Sequence, residues 1–344
     1  MNLLDSMRYL VALEQHRHFG RAASACHITQ PALSNALRAL EAELGVAIVR
    51  RGRSYEGLTA EGQRVLDSAN RMLREHELLR QDLHSGALTP CGTLTIGVVP
   101  TAVPIAARFA ARLQARHAGI KPVVRSLSSY DIESGLANLS LDLGLGYTDR
   151  MSVRGDKLEA VEQYVERYFL LRRCGVDPAA PLRLGAPMSW REAAAQPLCL
   201  LTAEMHNRHI VDAAFRSAGC EVQPVIETNS IVTLVFAVRE GDVCAVMPGS
   251  LVALARQHDG LEARPLHDPD VHTPIGFMFA PTARNSRALE AALALARDPA
   301  WLHHAAANSG LSGLIDSLVD SLVDSPGEST GSRNSLDTGQ IPAR

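Results

Sequence analysis

The stretch FGRAASACHITQPALSNALRALEAELG, residues 19–45, holds Pro31 in the middle of an otherwise helix-forming segment. Proline lacks an amide hydrogen and clashes with the preceding helical turn, so it is disfavoured inside a helix but accepted in the first turn. The segment is therefore predicted to form two helices, with Thr29 or Gln30 capping the second. Two helices joined by such a short connection form a helix-turn-helix, expected at about residues 19–38.

The second of these helices has an apolar and a polar face. Leucines at helical spacing mark the apolar face: Leu33, Leu37, Leu40 and Leu44. The polar face carries short amide, hydroxyl and guanidinium groups, which are the groups that bind base edges and phosphates. The residues expected to contact DNA from this region are Thr29, Gln30, Pro31, Ser34, Asn35 and Arg38. A solvated face without a partner is the alternative.

The next segment, VRRGRSYEGLTAEG at residues 49–62, predicts a hairpin with a cationic tip. Short apolar pieces flank a glycine surrounded by arginines, and such a wing can reach phosphate or the minor groove. Three further DNA contacts are expected from it: Arg50, Arg51 and Arg53.

Thr59 has the chemistry of an N-cap for a long helix that runs to about His84. Along this helix, residues on one side alternate spacings of four and three, which is the pattern of a coiled-coil seam. The seam consists of Val65, Ala69, Met72, His76, Leu79 and Leu83. We expect dimerisation through this seam; packing within one chain is the alternative.

The second half of the chain alternates strand-like and helix-like segments, and the rhythm occurs twice after a turn-rich hinge at residues 86–92. This pattern predicts an α/β domain with largely parallel sheets and two lobes around a cleft. A ligand is expected where strands end and helices begin, because free amides and helix dipoles there favour an anion. Hydroxyl and amide residues at those junctions are Thr101, Ser128, Ser129, Thr148, Thr202, Asn229 and Ser230. Helix capping is the competing role for each.

Composition narrows the class of protein. The 344 residues suggest two or three domains, and no apolar run approaches the roughly 20 residues of a membrane span. The N-terminus does not resemble a signal peptide, so a cytoplasmic location without membrane attachment is expected. Residues 316–344 carry the whole net charge of −3, so the rest is neutral overall. The Ser-, Gly- and Asp-rich tail, residues 308–344, is predicted to be disordered.

Metal, redox and catalytic chemistry find little support in the sequence. The six cysteines contain no C-x-x-C, so inert thiols are favoured over a redox sensor. His206 and His209 could share a metal, but no third ligand is evident. Catalytic motifs such as G-x-S-x-G or H-E-x-x-H do not occur, so neither an enzyme nor a bound cofactor is expected. A periplasmic solute receptor is the other alternative, but it would need a signal peptide and no DNA-reading helix.

With "FGRAASACHITQPALSNALRALEAELGV", "GLTAEG" and "GTLTIGVVPT" in this order, the chain resembles the LysR-type transcriptional regulators over residues 1 to about 300. The resemblance implies a winged helix-turn-helix, a dimerising linker helix and an effector domain of the type-2 periplasmic-binding-protein fold. The expected boundaries are 1–59, 60–86 and 92–302.

The resemblance also implies partners and function. The implied partners are double-stranded DNA, a small anionic effector, RNA polymerase, and a second or further copies of the chain in a homodimer or homotetramer. Thr101, Ser128 and Thr202 best match the effector-contacting positions. More narrowly, "PLCLLTAEMHNRHIVD" and "IETNSIVTLVFAVREGDVCAVMP" are similar to regulators encoded beside NAD-linked formate dehydrogenase genes, which implies control of formate oxidation.

Overall fold

The computed structural model describes residues 2–52, 55–84, 89–150, 158–174, 181–255, 259–281 and 285–309, without the side chains of Arg51 and residues 81–84. The helices are α1 (Leu3–His16), α2 (Phe19–Ala25), α3 (Gln30–Leu44), α4 (Ala60–His84), α5 (Val103–Arg116), α6 (Ser129–Ala137), α7 (Trp190–Ala194), α8 (His206–Ser217), α9 (Ile231–Glu240), α10 (Gly249–Ala255), α11 (Arg287–Ala296) and α12 (Pro299–Ala307). The strands are β1 (Val49–Arg51), β2 (Tyr55–Leu58), β3 (Gly92–Val98), β4 (Ile120–Ser126), β5 (Leu143–Tyr147), β6 (Glu159–Glu166), β7 (Tyr168–Arg173), β8 (Arg183–Leu184), β9 (Met188–Ser189), β10 (Leu198–Leu201), β11 (Ile226–Thr228), β12 (Cys244–Pro248), β13 (Leu261–His267) and β14 (Thr273–Phe279).

Pro31 lies in the first turn of α3, as the sequence predicts. Thr29 caps the helix, its Oγ1 accepting the amide of Ala32 at 3.4 Å. The apolar face is fully buried at Leu33, Leu37 and Leu40. The expectation for Leu44 is wrong: this last helical residue is 45% exposed, because the chain leaves the helix at Gly45, in the left-handed conformation.

The predicted wing is present as an antiparallel hairpin of β1 and β2. Its position is fixed from both sides. On α3, Glu41 Oε1 accepts the amides of Ile48 and Val49 at 2.9 and 3.1 Å. On α1, Glu14 accepts a hydrogen bond from the Tyr55 hydroxyl. Arg53, expected at the tip, lies outside the described residues.

Helix α4 begins as predicted, with Thr59 Oγ1 accepting the amide of Gly62 at 2.8 Å. Its N-terminal half packs on α1 and the core of the helix-turn-helix. This packing divides the predicted seam. Ala69 is fully buried within the chain and Val65 packs against the N-terminal core, whereas Met72 is 44% and Leu79 is 55% exposed. His76 is half-buried, and the Leu83 side chain lies outside the description.

The remainder forms two lobes, each built on its own sheet. The first sheet has the strand order β4-β3-β5-β14-β6, and the second has the order β11-β10-β12-β7-β13-β8, with β9 also paired to β13. The parallel arrangement that the sequence predicts holds for β3 with β4 and β5, and for β10 with β11 and β12. It fails where β14 and β7 pair antiparallel to their neighbours.

The four strands β6, β7, β13 and β14 carry the chain between the lobes. Strand β6 in the first sheet is separated from β7 in the second by Arg167 alone, and β13 returns to β14 through residues 268–272. Two crossings therefore join the lobes, and the cleft lies beside them. None of these four strands was predicted from the sequence.

Each lobe has its own core. In the first lobe, Phe109 packs against Phe277 and Trp301 at ring-centroid distances of 4.3 and 5.1 Å. The second sheet is covered by apolar side chains on both faces. Trp301 belongs to α12, which continues to Ala307 and so extends the lobe beyond the predicted end at residue 302. Of the predicted tail, residues 310–344 lie outside the description.

Within the described ranges, no helix combines the length and apolar character that a membrane-spanning segment requires.

Candidate DNA interface and effector cleft

The polar face of α3 is presented to solvent. Gln30, Pro31, Asn35 and Arg38 are exposed and Ser34 is half-buried. The side chains of Gln30, Asn35 and Arg38 make no hydrogen bond to other described residues, so their donors and acceptors are available to an external partner.

Of the three predicted wing arginines, the structure describes one side chain. Arg50, on β1, is exposed. Arg51 has a described backbone in β1 but no described side chain, and Arg53 is outside the description. Among the described residues, the polar face of α3 and Arg50 of the wing are thus both left exposed to solvent.

A narrow cavity lies in the cleft, at the N-terminal ends of α6 and α8. The space it encloses is about 10 Å³, close to the roughly 10–15 Å³ that one water molecule needs. Its polar lining comes from Thr101, Ser128, Ser129, Tyr147, His206 and Asn207. In this arrangement of the lobes, this cavity has no room for anything much larger than water.

Three of the seven predicted effector residues meet at this cavity, namely Thr101, Ser128 and Ser129. Thr148 and Thr202 do not line it. The Thr148 hydroxyl donates to the Pro274 carbonyl at 3.5 Å, and the Thr202 hydroxyl donates to Glu204 at 2.7 Å.

Asn229 and Ser230 lie elsewhere, in a largely apolar groove of about 420 Å³ between α5 and α9. Ser230 there acts as a helix cap, since its Oγ accepts the amide of Thr233 at 3.3 Å. The structure therefore divides the seven side chains between this cavity, the groove and hydrogen bonds within the chain, and their contact with an effector stays a prediction.

Thr101 is only 1% exposed, and its hydroxyl is already paired. Its Oγ1 lies 2.9 Å from the Tyr147 hydroxyl, which also accepts from Asn207 Nδ2 at 3.5 Å. The Asn207 amide donates in addition to the Tyr168 hydroxyl at 3.2 Å. Removing the Thr101 hydroxyl would break this buried network, so such a variant reports on stability as well as on a ligand.

Tyr147 and Asn207 were missed by sequence reasoning. Tyr147 is the last residue of β5 and directly precedes Thr148, the residue that was chosen. Successive strand side chains point to opposite faces, so an error of one residue selects the wrong face. Asn207 lies one residue inside α8, where its amide resembled an ordinary helix surface group.

His206 faces the cleft at the first position of α8. Its Nδ1 lies 2.8 Å from Arg150 Nη1, and Arg150 Nε donates to Glu133 at 2.9 Å. Burial and the positive charge of Arg150 lower the pKa of His206 to about 4. The ring is therefore neutral at pH 7 and joins the second lobe to Arg150 and Glu133 of the first.

For the hypothesis that His206 and His209 share a metal ion, the described residues provide no third ligand. His209 is exposed, with its ring centroid 6.4 Å from that of His206. The described part of the chain contains no group of three histidine, cysteine or carboxylate side chains placed to hold a metal ion.

Glu166 ends β6 at the first crossing between the lobes and is fully buried. The Ser250 hydroxyl reaches both Glu166 Oε1, at 3.4 Å, and the Thr101 carbonyl, at 3.0 Å. Burial raises the pKa of Glu166 to about 8, although the hydrogen bond from Ser250 acts in the opposite direction. At neutral pH this hinge carboxyl is mostly protonated. No sequence signal marked it.

The structure describes all six cysteines; they form no disulfide with one another, and none of them lines the cleft cavity. Cys199 and Cys244 are on adjacent strands but belong to apolar clusters on opposite faces of the second sheet. Burial raises the pKa of both thiols and that of Cys26. A raised pKa lowers the thiolate fraction, so these three thiols are less reactive than free cysteine.

Two family models match the chain, and together they span both halves. Residues 4–63 match the bacterial regulatory helix-turn-helix proteins of the lysR family, and residues 88–300 match the LysR substrate binding domain. The chain belongs to the LysR family. It is a DNA-binding transcriptional regulator and not an enzyme.

Individual relatives support this assignment. The DNA-binding transcriptional dual regulator OxyR of Escherichia coli K12 is 28% identical over 289 residues, covering 82% of this chain and 90% of OxyR. The SDS degradation transcriptional activation protein of a Pseudomonas species is 37% identical over 158 residues, covering 45% of this chain and 51% of that protein.

Solved structures show the same fold. A full-length OxyR variant from Pseudomonas aeruginosa superposes with a TM-score of 0.63 at 22% identity, covering 85% of this chain and 96% of that one. CbnR in complex with its target DNA superposes with a TM-score of 0.59 at 18% identity, covering 88% and 99%. The architecture of this LysR-type chain is thus shared over nearly the whole length of both structures.

Proposed function

We propose that this LysR-type chain reads DNA sequence with the α3 face formed by Gln30, Pro31, Ser34, Asn35 and Arg38. The wing arginines contact the phosphate backbone of the DNA beside the bases that α3 reads. The observation that carries the proposal is this exposed face, whose amide and guanidinium groups have no partner among the described residues. Its N-terminal end is fixed by the Thr29 cap, so the helix is preorganised to enter a major groove.

Replacing Arg38 by alanine should weaken specific DNA binding by about 1–3 kcal/mol if the guanidinium reads a base. The measurement is fluorescence anisotropy with fragments that the wild-type protein enriches from its host's genomic DNA. Arg125→Ala is the matched control, because Arg125 is an exposed arginine on β4, in the effector domain. A loss that is equal for all DNA sequences would assign Arg38 to phosphate. Unchanged affinity would remove α3 from the interface.

We further propose that two copies associate through the outer side of α4, where Met72 and Leu79 remain exposed. Met72→Glu should shift the protein from dimer or tetramer towards monomer, because it would bury a carboxylate in an apolar contact. Sedimentation velocity reports the change. Glu77→Lys is the control, since this exposed position lies about 140° from Met72 around the helix. An unaltered assembly in Met72→Glu would place the interface elsewhere.

The cleft is proposed to bind a small anionic effector that regulates transcription, with RNA polymerase as the partner of the DNA-bound protein. The small volume of the cavity and its lining of hydroxyl, amide and imidazole groups favour the smallest anions. Formate is one such anion, in keeping with the proposed control of formate oxidation genes.

Genome-wide mapping of binding sites tests the pathway directly. Sites beside formate dehydrogenase genes, together with formate-dependent changes in transcription there, would support formate control. Sites confined to other pathways would overturn it. A further relative, 28% identical over 289 residues, is the hydrogen peroxide-inducible genes activator of Escherichia coli O6:H1, so transcription after peroxide treatment should be measured in parallel. We expect no thiol-dependent response through Cys199 and Cys244, because they lie on opposite faces of one sheet.

A further inference from the structure

Helices α5 and α12 of the first lobe together carry a cluster of basic side chains. The guanidinium carbon of Arg112 on α5 lies 5.8 Å from the ring centroid of Trp301 on α12. The ring of His304 lies on the same tryptophan, at a centroid distance of 5.9 Å. The basic cluster consists of Arg108, Arg112 and His304, which are half-buried, and His303, which is exposed.

No ion pair joins the arginines of the basic cluster to a carboxylate among the described residues. Neither α5 nor α12 contains an acidic residue, and Asp298, which caps α12, is paired with Arg116 at 2.7 Å. Arg108 donates only to the carbonyl of Pro104, at 3.5 Å. Burial, and then the positive charges of the other three members of the cluster, lower the pKa of His304. Basic groups that repel one another without a paired carboxylate favour an acidic partner.

The segment that follows α12 in sequence has the opposite charge. Residues 310–328 contain four carboxylates and no basic residue. Within them, LIDSLVDSLVDS at 314–325 repeats an apolar pair, an aspartate and a serine three times, and Pro326 follows. A period of four is close to the 3.6 residues of a helical turn, so on a helix the apolar pairs would share one half of the surface and the aspartates would border them. Because the sequence alone predicts disorder for this tail, such a helix would form only together with a docking surface.

The geometry of the tail suits the basic cluster. Its aspartates recur every four residues, as Arg108 and Arg112 do on α5, so both sets step by about 6 Å along a helix. The described chain ends at Ser309, and the six residues before the first aspartate can span about 20 Å when extended. This reach exceeds the roughly 14 Å length of α12, so the tail can return along that helix. The aspartates are Asp316, Asp320 and Asp324.

We propose that residues 314–325 fold back on the first lobe as an amphipathic helix and that its aspartates pair with the basic cluster. The occupant of this surface is therefore the chain's own tail. Each pair is weak by itself, but the tether supplies a high effective concentration, so several pairs together hold the tail in place. Docking neutralises positive charge that would otherwise attract DNA phosphates to the effector domain without regard to sequence.

Thermolysin cleavage of the full chain tests this contact, because the protease cuts before leucine and valine only where the segment is undocked. Cleavage within 314–325 is followed by mass spectrometry at low ionic strength, where charge pairs are least screened. The combined variant Asp316→Asn, Asp320→Asn, Asp324→Asn should be cleaved about five- to tenfold faster than the wild type, the joint effect of three modest pairs. Each rate is divided by that of a peptide of residues 310–328 with the same substitutions, which removes the sequence preference of the protease.

Substitutions in the basic cluster locate the docking surface without altering the tail. Arg108→Gln combined with Arg112→Gln should raise the cleavage rate by a similar factor. Arg216→Gln is the matched control, because Arg216 is an exposed arginine on α8 in the second lobe. Circular dichroism checks that the variants fold. If the variant with Arg112→Gln does not fold, Arg108→Gln combined with His303→Gln decides.

A charge exchange tests the pairing itself. Arg112→Asp and Asp320→Arg should each raise the normalised cleavage rate, and the two together should recover part of the protection, because opposite charges again face each other.

Two results would overturn the proposal. Equal normalised cleavage of the wild type and the triple asparagine variant would show that the aspartates hold the tail to no surface. Faster cleavage of that variant without any effect of Arg108→Gln and Arg112→Gln would place the tail elsewhere. In that case, faster cleavage of Arg38→Ala would assign it to the polar face of α3.

Discussion

Glu166→Gln should remove a loss of folding stability that accompanies rising pH. The buried carboxyl of Glu166 has a pKa of about 8 in the folded chain, against 4.5 for an ordinary glutamate. Between these values the folded state binds more protons than the unfolded state, so stability is highest below the lower value and is lost as pH rises towards the upper one. The loss is about 1.4 kcal/mol per pH unit, or several kcal/mol in all.

Urea denaturation at pH 5, 6, 7 and 8 measures this effect. Relative to Glu166→Gln, the wild-type free energy of unfolding should fall across the series, because glutamine keeps an uncharged side chain of the same shape. His206, whose pKa is lowered to about 4, makes stability rise with pH below about 6.5 in both proteins, so its contribution cancels in this difference. The exposed Glu162 on the same strand provides the control, and Glu162→Gln should retain the wild-type slope. Parallel curves for wild type and Glu166→Gln would contradict a protonated carboxyl at the hinge.

Arg74→Met should destabilise the protein by about 3–5 kcal/mol. Arg74 of α4 pairs with Asp142, and their side chains are only 11% and 18% exposed. Asp142 also accepts the amide of Thr95 at 2.8 Å, which ties the linker helix to the first sheet. Removing the arginine would leave a largely buried carboxylate without its cation, and that is the costly half of breaking such a pair.

A double-mutant cycle with Asp142→Asn separates this pair from general damage to the fold. The double variant should lose less stability than the summed losses of the two single variants, because it contains neither the arginine nor the carboxylate and so leaves no charge unpaired. Arg8→Ala provides the comparison, because its pair with Asp5 is exposed and should contribute at most about 1 kcal/mol. Additive losses, or a cost for Arg74→Met no greater than for Arg8→Ala, would show that Arg74 and Asp142 are not coupled.

The regions that could be predicted from the sequence depend on local rules. Pro31 can lie only near a helix start, and glycine flanked by arginines between short apolar pieces favours a hairpin. The long helix from Thr59 follows from its cap and spacing. Such patterns act over a few residues, so they are readable without knowledge of distant segments.

The burial of individual side chains was less predictable. The spacing that marks Val65 and Ala69 as part of a dimer seam equally suits packing on α1, which is where the structure places them. A helical period states which side chains share a face, but not which surface covers that face. Met72 and Leu79 lie further along α4 and remain 44% and 55% exposed.

The sequence by itself determined the LysR family, the helix-turn-helix ahead of the effector domain and the exposed polar face of α3, because short-range propensities and a specific motif encode them. Only the tertiary structure decided which cleft residues meet. Ser129 and His206 are far apart in the chain, and they face one cavity because β6, β7, β13 and β14 cross between the lobes. These pairings join distant segments, Tyr164 with Ile275 among them, so no local pattern records them. The same crossings bury Glu166, whose protonation follows from its surroundings and not from its neighbours in sequence.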